Sequence, residues 1–346
     1  LRFRALRWQK GWSYADGLML SKQPPEAKAA LEKHSLANRS FSPTALQHFA
    51  ACPYKFVLQA SFRLSPREEP MQIEELNPLQ RGSLLHEIEF ELHVRLRELG
   101  LLPITPENLE AARAELDLVV ATAAEKVRDD LAPAIPEVWD DGIRSIAADA
   151  REMLNRASEE PEWVPSHFEL SFGLKDRRAR DPLSQDDWVE IAGGLKLRGS
   201  IDVIDKNARG DVRATDYKTG KVRAEKDMRI GGGETLQPVF YALVLEKIMP
   251  SLKSAGGRLY YCTAAGSYTE VEVPLDDEAR DGAQAIVKVV GDAIANGFLP
   301  AAPNPEGYGC EYCDYLPICG PYEVHRTSKV KSQKDLQPLV QIRARR

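Results

Sequence analysis

Apolar residues recur at helical spacing through the first half of the chain. From Phe41 to Ala60 the residues favour a helix with Ser42 as its N-cap and Pro43 at its first position, interrupted near Pro53. The same spacing predicts further helices over 79–99, 106–128 and 142–158. We therefore expect the first half of the chain to be mostly helical.

After Pro165 the pattern changes to the alternation of apolar and polar residues that is typical of strands. The segments HFELSFGL, LKLRGSIDVID and DVRATDYK are predicted strands, and the polar segment around Gly210 predicts an antiparallel hairpin between the last two. A second hairpin is expected around Gly266, and helices are expected over 235–249 and 276–296. The segment after Pro300 is predicted to be a loop.

Hydrophobic residues make up 43% of the 346 positions, which is ample for one large domain or two modest ones. No stretch approaches the roughly 18 to 20 uncharged apolar residues that a membrane span needs, and the first residues lack the apolar core of a secretory signal. We expect a cytoplasmic protein without a membrane partner. The charged opening segment LRFRALRWQKGW is typical of the continuation of a longer protein. The sequence contains no Gly-rich phosphate-binding loop, so it does not indicate an ATPase.

The net charge of -6 argues against a protein coated in positive charge, but it is compatible with a local basic groove. Basic residues form three runs, which are Arg2, Arg4, Arg7 and Lys10; Lys175, Arg177, Arg178 and Arg180; and Lys218, Lys221, Arg223, Lys226 and Arg229. Any one such run is ordinarily a solvated surface. The third run gains functional weight because it adjoins the candidate chemistry.

Two aspartates and a lysine form the centre of that chemistry. Residues two apart in a strand project from the same face, which places Asp216 beside Lys218. Pairing within the predicted hairpin brings Asp202 across from Asp216. Charges in such an apolar neighbourhood are costly unless they pair with one another or coordinate a metal.

Carboxylate oxygens favour Mg²⁺ or Mn²⁺, and either ion polarises a phosphodiester and lowers the pKa of an attacking water. Lys218 would orient or deprotonate that water, or stabilise negative charge in the transition state. The alternative is an exposed hairpin with an ordinary Asp–Lys ion pair, worth about 0 to 1 kcal/mol. For the three residues taken alone, this alternative is the better interpretation.

The order of GSIDVID, a turn and DYKTGK resembles the PD-(D/E)XK nuclease superfamily, and specifically its RecB-like branch. Residues 81–92 are similar to that branch's helix with an inward histidine, and residues 236–246 are similar to its Gln-x-x-x-Tyr helix. The resemblance implies a metal-binding set of His86, Asp202, Asp216 and Tyr217. It implies catalytic roles for Asp202, Asp216, Lys218, Glu169, Gln237 and Tyr241.

Helical spacing supports part of this assignment independently. Gly82, Ser83 and His86 fall on one helical face, so small residues beside the histidine allow the helix to approach the sheet closely. Gln237 and Tyr241 are four apart and also share a face, where the alternative is a polar rim beside a core helix. Ordinary core or boundary positions are expected for His48, His93, His167 and His325.

The five cysteines lie at positions 52, 262, 310, 313 and 319. The last three form a C-x2-C-x5-C pattern, and Cys52 lies far upstream. In a chain with this cytoplasmic profile, a metal site is a better interpretation than a disulfide framework. Four such thiolates suit either Zn²⁺ or a [4Fe-4S] cluster, and spacing alone leaves both open. Cys262 is interpreted as a buried strand residue.

A subset of RecB-like nucleases, including the AddB-type nuclease domain and the CRISPR-adaptation nucleases, has one cysteine before the histidine helix and three after the catalytic core. This arrangement is similar to that of Cys52, Cys310, Cys313 and Cys319, which implies that these residues bind [4Fe-4S]. A link across so long a loop restricts the unfolded chain strongly, so the expected role of the cluster is a structural staple.

The resemblance covers roughly 41–321 and implies an α/β, restriction-endonuclease-like core with a mixed central sheet flanked by helices. Residues of about 101–158 are expected to be a helical insertion, 1–40 an N-terminal extension, and 322–346 a basic C-terminal tail. The chain departs from the branch at Val203, where an arginine is usual, which weakens the transfer of substrate contacts and leaves the ligands intact.

The implied function is metal-dependent hydrolysis of DNA, with single-stranded DNA or processed ends as substrate and a helicase–nuclease partner subunit, in DNA end processing, recombination or double-strand break repair. Phosphate contacts should dominate binding, which should therefore weaken as salt rises. The alternatives are a non-catalytic DNA-binding or scaffolding domain of the same fold, a CRISPR-adaptation-type nuclease, and a zinc-binding structural module.

Overall fold

The computed structural model describes residues 2–19, 25–67, 72–159, 162–175, 181–191, 193–306 and 309–346. Its helices are α1 (Arg2–Arg7), α2 (Pro25–Glu32), α3 (Pro43–Ala51), α4 (Pro53–Phe56), α5 (Pro78–Glu98), α6 (Leu109–Leu131), α7 (Pro136–Glu159), α8 (Gln237–Ile248), α9 (Asp277–Ala295), α10 (Leu316–Cys319), α11 (Glu323–His325) and α12 (Gln337–Arg343). Its strands are β1 (Trp163–Phe172), β2 (Val189–Ile191), β3 (Leu195–Leu197), β4 (Gly199–Asn207), β5 (Val212–Lys218), β6 (Ser254–Tyr261) and β7 (Thr269–Pro274). Arg177, Arg178 and Arg180 of the second basic run lie outside the described residues.

Local sequence explains where the main helices begin. Ser42 caps α3 with Pro43 directly after it, as predicted, and Pro53 begins the separate helix α4. Helix α5 starts in a capping box, in which the side chains of Asn77 and Gln80 each accept from the other residue's backbone amide. The helices predicted over 79–99, 106–128, 142–158, 235–249 and 276–296 correspond to α5, α6, α7, α8 and α9.

The central sheet has five strands in the order β1-β4-β5-β6-β7. Strands β5 and β6 run parallel, whereas the other neighbouring pairs are antiparallel. The hairpins predicted around Gly210 and Gly266 are the β4-β5 and β6-β7 pairs. The expectation of an α/β, restriction-endonuclease-like core with a mixed central sheet flanked by helices is therefore confirmed.

Two hydrophobic cores cover the two faces of the sheet. One core packs α8 and α9 against it, and the other packs α5, α6 and α7, so the segment 101–158 contributes two helices to the second face. Strand β1 contributes to both, because Phe168 packs in the α5–α7 core and Leu170 in the α8–α9 core. In a regular strand these two side chains would project from the same face of the sheet, so the alternation of side chains in β1 is interrupted between them.

The segment after Pro300 was predicted to be a loop, but it contains the short helices α10, α11 and α12. Leu339 of α12 is buried in the core that includes α9. Arg326 pairs with Asp16 and Glu323 in a network that buries all three side chains. The last segment is therefore packed on the chain rather than extended from it. In the described ranges, no helix is both long enough and apolar enough to cross a membrane.

Candidate active site

The β4-β5 hairpin brings the two sequence-predicted aspartates together. Val203 lies opposite Thr215, so the same register continued by one residue places Asp202 across from Asp216. Asp202 Oδ2 accepts a hydrogen bond from the Tyr217 backbone amide at 2.8 Å. This bond fixes the Asp202 carboxylate where the pairing of the two strands ends.

Helix α5 brings His86 to the same place. Gly82 lies one turn before it, and a Cβ at Gly82 would lie 3.1 Å from Thr219 Oγ1, so the missing side chain allows α5 to approach the end of β5 closely. His86 Nδ1 lies 3.6 Å from Asp202 Oδ2. The structure therefore has the small residue beside the histidine that the helical spacing led us to expect.

Glu169 enters the site through a strained backbone in β1. Its φ of +50° lies in the left-handed region, which costs a non-glycine residue about 1 to 3 kcal/mol, and it coincides with the change of face in the strand. Glu169 Oε2 accepts a hydrogen bond from Ser200 Oγ at 2.8 Å. One ligand atom each from His86, Glu169 and Asp202 lies within 4.8 Å of the others, a spacing that suits one metal ion.

Asp216 and Lys218 form an ion pair at the end of β5, and Gln237 at the start of α8 bridges them. Gln237 Nε2 donates to Asp216 Oδ1 at 2.5 Å, and Lys218 Nζ donates to Gln237 Oε1 at 2.8 Å. The bridge fixes the lysine ammonium in the cleft. The Asp216 carboxylate is engaged by these two residues, and it is not in the group of three whose ligand atoms converge.

The two sequence-predicted tyrosines lie on different sides of the sheet. Tyr241 is buried in α8, and a Cβ at Gly199 would come within 3.3 Å of its hydroxyl oxygen. The ring of Tyr217 instead packs beside His93 in the core formed by α5, α6 and α7. What Tyr217 presents to Asp202 is its backbone amide.

Burial and neighbouring charges set the protonation of the central groups. Burial raises the pKa of Asp202 well above its ordinary value, and the Asp216 carboxylate raises it further. Burial lowers the pKa of His86, although Asp216 opposes this shift. Burial also acts to lower the pKa of Lys218, but the charge of Asp216 and their hydrogen bond outweigh it, so that the pKa is raised. At neutral pH the histidine is therefore a neutral imidazole and the lysine is a cation.

An open cleft of about 750 Å³ between α5 and the ends of β4 and β5 is lined by His86, Glu169, Asp202 and Lys218. Leu79, at the start of α5, is 77% exposed at its border. Ser200 and Thr219 also line the cleft, although the sequence analysis did not single them out. The available signal for Ser200 was its position two residues before Asp202, on the same face of the strand.

The four cysteines expected to bind a metal group line a second pocket. They are Cys52, Cys310, Cys313 and Cys319, and all of them are free thiols. No three of these sulfurs, all in the described part of the chain, lie within 4.8 Å of one another. Burial raises the pKa of Cys319 to about 11, while Arg7, which donates to the Cys319 carbonyl at 3.1 Å, acts to lower it. The fifth cysteine, Cys262, is fully buried as expected, although it lies directly after β6 rather than within a strand.

Comparison with known proteins gives a family. The model of the PD-(D/E)XK nuclease superfamily matches residues 40–320. The chain is 26% identical over 256 residues to a subunit of the ATP-dependent helicase/deoxyribonuclease of Carboxydothermus hydrogenoformans, a match that covers 72% of this chain and 22% of that protein. It is 22% identical over 218 residues to the subunits of the same name from Thermoanaerobacter sp. (strain X514) and Thermoanaerobacter pseudethanolicus, covering 61% of this chain and 17% of each.

The chain thus spans about a fifth of the length of the curated relatives that it matches. The family match covers the histidine helix, the strained strand, the hairpin and all four pocket cysteines. Site geometry and comparison agree, and the chain belongs to the PD-(D/E)XK nuclease superfamily.

Proposed function

We propose that this chain hydrolyses phosphodiester bonds in DNA with Mg²⁺ or Mn²⁺. The observation that carries the proposal is the convergence of His86, Glu169 and Asp202 at a spacing that suits one ion, beside the Asp216–Lys218 pair. The donor set fits such an ion, because two carboxylates supply hard oxygen ligands and a neutral imidazole supplies nitrogen. When bound, the ion would polarise the phosphodiester and lower the pKa of the attacking water.

Asp216 and Tyr217 remain proposed as further ligands. Tyr217 would bind through its backbone carbonyl, because its ring lies in the opposite core. Lys218 is held as a cation, so its role is to stabilise negative charge in the transition state rather than to deprotonate water. Gln237 orients that ammonium, and Tyr241, one turn further along the same helix, lines the cleft.

Cleavage of end-labelled single-stranded and duplex DNA in Mn²⁺ tests this function. Asp216→Asn and Lys218→Met should each lower the rate about 100-fold or more, because each removes preorganised charge at the reacting phosphate. Asp141→Asn is the control, since Asp141 is 80% exposed on α7. A pure, metal-loaded protein that binds DNA but cuts neither form would instead be the non-catalytic binding or scaffolding domain. A protein that neither binds nor cuts DNA would refute the proposal altogether.

For the cysteine pocket we propose a [4Fe-4S] cluster with a structural role. The four thiols border one pocket, which supports a shared metal group, and the resemblance of one upstream and three downstream cysteines to a subset of RecB-like nucleases favours a cluster over Zn²⁺. Iron and sulfide analysis, with absorbance near ~400 nm that disappears in Cys313→Ser, should support the cluster. One zinc and no iron per chain would establish the alternative.

The relatives are named as subunits of an ATP-dependent helicase/deoxyribonuclease, which supports a helicase–nuclease partner subunit and DNA end processing, recombination or break repair as the setting. Single-stranded DNA or processed ends remain the proposed substrate. The test is whether ATP stimulates cutting when the partner subunit is added. A cytoplasmic location and the boundaries 1–40, 41–321 and 322–346 stay predictions.

A further inference from the structure

Cationic and aromatic side chains gather where β1 ends and β4 begins, next to the catalytic cleft. We define this basic–aromatic patch by Arg39, Arg63, Arg198, Lys196, Trp188 and Phe62. Its members come from three segments that are far apart in the sequence. No run of basic residues in the sequence corresponds to it.

Backbone pairing assembles the patch. The Phe41 amide donates to the Lys196 carbonyl at 2.8 Å, and the Arg198 amide donates to the Phe41 carbonyl at 3.0 Å. Arg39 lies two residues before this pairing, and its guanidinium donates to His34 Nδ1 at 2.7 Å. The positions of these cations are therefore set by the fold rather than by flexible side chains alone.

The arginines of the patch lack acidic partners within the described ranges, since none of the ion pairs there includes Arg39, Arg63 or Arg198. Burial lowers the pKa of Arg39, and the positive charges of Arg198 and Arg63 lower it further. Burial and Arg63 act on Arg198 in the same direction. Each guanidinium thus lies within the field of another, an arrangement that an added anion would stabilise.

Aromatic rings lie beside these cations and remain open to solvent. Trp188 is 43% exposed, and Lys196 Nζ lies 4.7 Å from the centre of its ring. Phe62, which precedes Arg63, is 60% exposed. Exposed rings of this size, beside cations that have no acidic partner among the described residues, provide faces on which nucleobases stack.

Two strands connect the patch to the catalytic cleft. Gly173 follows β1, and a Cβ there would lie 2.7 Å from Arg198 Cβ and 3.2 Å from Trp188 Cα. Glu169 is four residues before Gly173, and Asp202 is four residues after Arg198, which is roughly 13 Å along either strand. A nucleic acid of a few nucleotides covers that distance.

We propose that the basic–aromatic patch binds single-stranded DNA and guides it to the catalytic cleft, the arginines contacting phosphates while Trp188 and Phe62 stack on bases. This inference rests on the proposed nuclease function. It adds that the DNA is single-stranded and that it reaches the cleft along the basic–aromatic patch. A single strand is favoured over a duplex because stacking on a protein ring requires unpaired, splayed bases.

Fluorescence anisotropy on the full chain, without divalent ions, tests the inference with a labelled 20-nucleotide single strand and the matching duplex. Arg39→Ala and Arg198→Ala should each weaken single-strand binding about tenfold, and each should reduce the slope of log affinity against log salt by about 0.7. Trp188→Ala should weaken binding at least about fivefold, with Trp188→Phe restoring most of it. Arg144→Ala is the matched control, because Arg144 is 70% exposed on α7.

Asp216→Asn separates this inference from the function on which it rests. Its single-strand affinity should stay within about twofold of wild type while cutting is lost. Wild-type binding by folded Arg39→Ala and Arg198→Ala proteins would overturn the patch. Tighter binding of the duplex, lost in the same variants, would overturn the assignment to single strands. A chain that binds through the patch but cuts nothing would refute the nuclease and leave the patch standing.

Discussion

Glu89 provides a test of how burial of an ionisable side chain makes the stability of this protein depend on pH. It lies in α5, is 3% exposed, and its Oε1 has no hydrogen-bond partner within the described part of the chain. Its Oε2 is 3.7 Å from His93 Nδ1, but burial lowers the pKa of His93, so no cation is present to pair with it. Burial raises the pKa of Glu89 from 4.5 to about 8.

The change Glu89→Gln keeps the size of the protonated side chain and removes its titration. Because the folded-state pKa is raised, the stabilisation from the bound proton is complete below pH 4.5 and is lost as the pH rises to about 8. The wild-type free energy of unfolding should therefore fall relative to the variant by about 1.4 kcal/mol per pH unit in this interval. The whole interval corresponds to roughly 5 kcal/mol at most.

Urea unfolding at pH 5, 6, 7 and 8, followed by circular dichroism, measures the difference between the two proteins. Glu91→Gln, on the exposed side of the same helix, is the control, and its difference from wild type should vary little with pH. The reasoning about Glu89 fails if the wild type and Glu89→Gln differ by the same amount at all four pH values.

Three further changes test the close approach of α5 and two buried ion-pair networks. Gly82→Val should push α5 away from Thr219 and lower the cleavage rate at least tenfold with an unchanged far-ultraviolet spectrum; an unchanged rate would contradict the close approach. Asp205→Ala should cost about 3 to 5 kcal/mol in urea unfolding, because it removes the buried carboxylate that the guanidinium groups of Arg213 and Arg258 share; a cost below 1 kcal/mol would count against this. Arg326→Met should also lower the free energy of unfolding in this measurement, since the buried carboxylates of Asp16 and Glu323 then keep only one cation each; an unchanged free energy would contradict this.

Local pattern was enough to predict the five main helices and the central hairpin. Helical spacing and capping residues are properties of neighbouring positions, so the helices and the pairing of Asp202 with Asp216 could be inferred from the sequence. The strained backbone at Glu169 could not be inferred, because it arises where the adjacent residues Phe168 and Leu170 pack in different cores. The same limit applies to the ring of Tyr217 and to the patch around Arg198, whose surroundings are contributed by distant segments.

The last residues of the chain connect the cysteine pocket to the candidate active-site cleft. Arg343 donates to the Ala51 carbonyl, directly before Cys52, at 3.1 Å. Beyond Arg343, the Arg345 carbonyl accepts from the Gly232 amide at 2.7 Å, in the segment that precedes α8. Helix α3 supports the same segment, since Gln47 Nε2 donates to the Glu234 carbonyl at 2.7 Å.

Gln237 begins α8 three residues after Glu234, and it orients both Asp216 and Lys218. The position of its side chain therefore depends on a segment held from the side of the cysteine pocket. Because a catalytic group displaced by about 1 Å loses about 100-fold in rate, loosening that pocket should impair cutting without touching a ligand residue. A structural staple at Cys52 would then act on the catalytic rate as well as on stability.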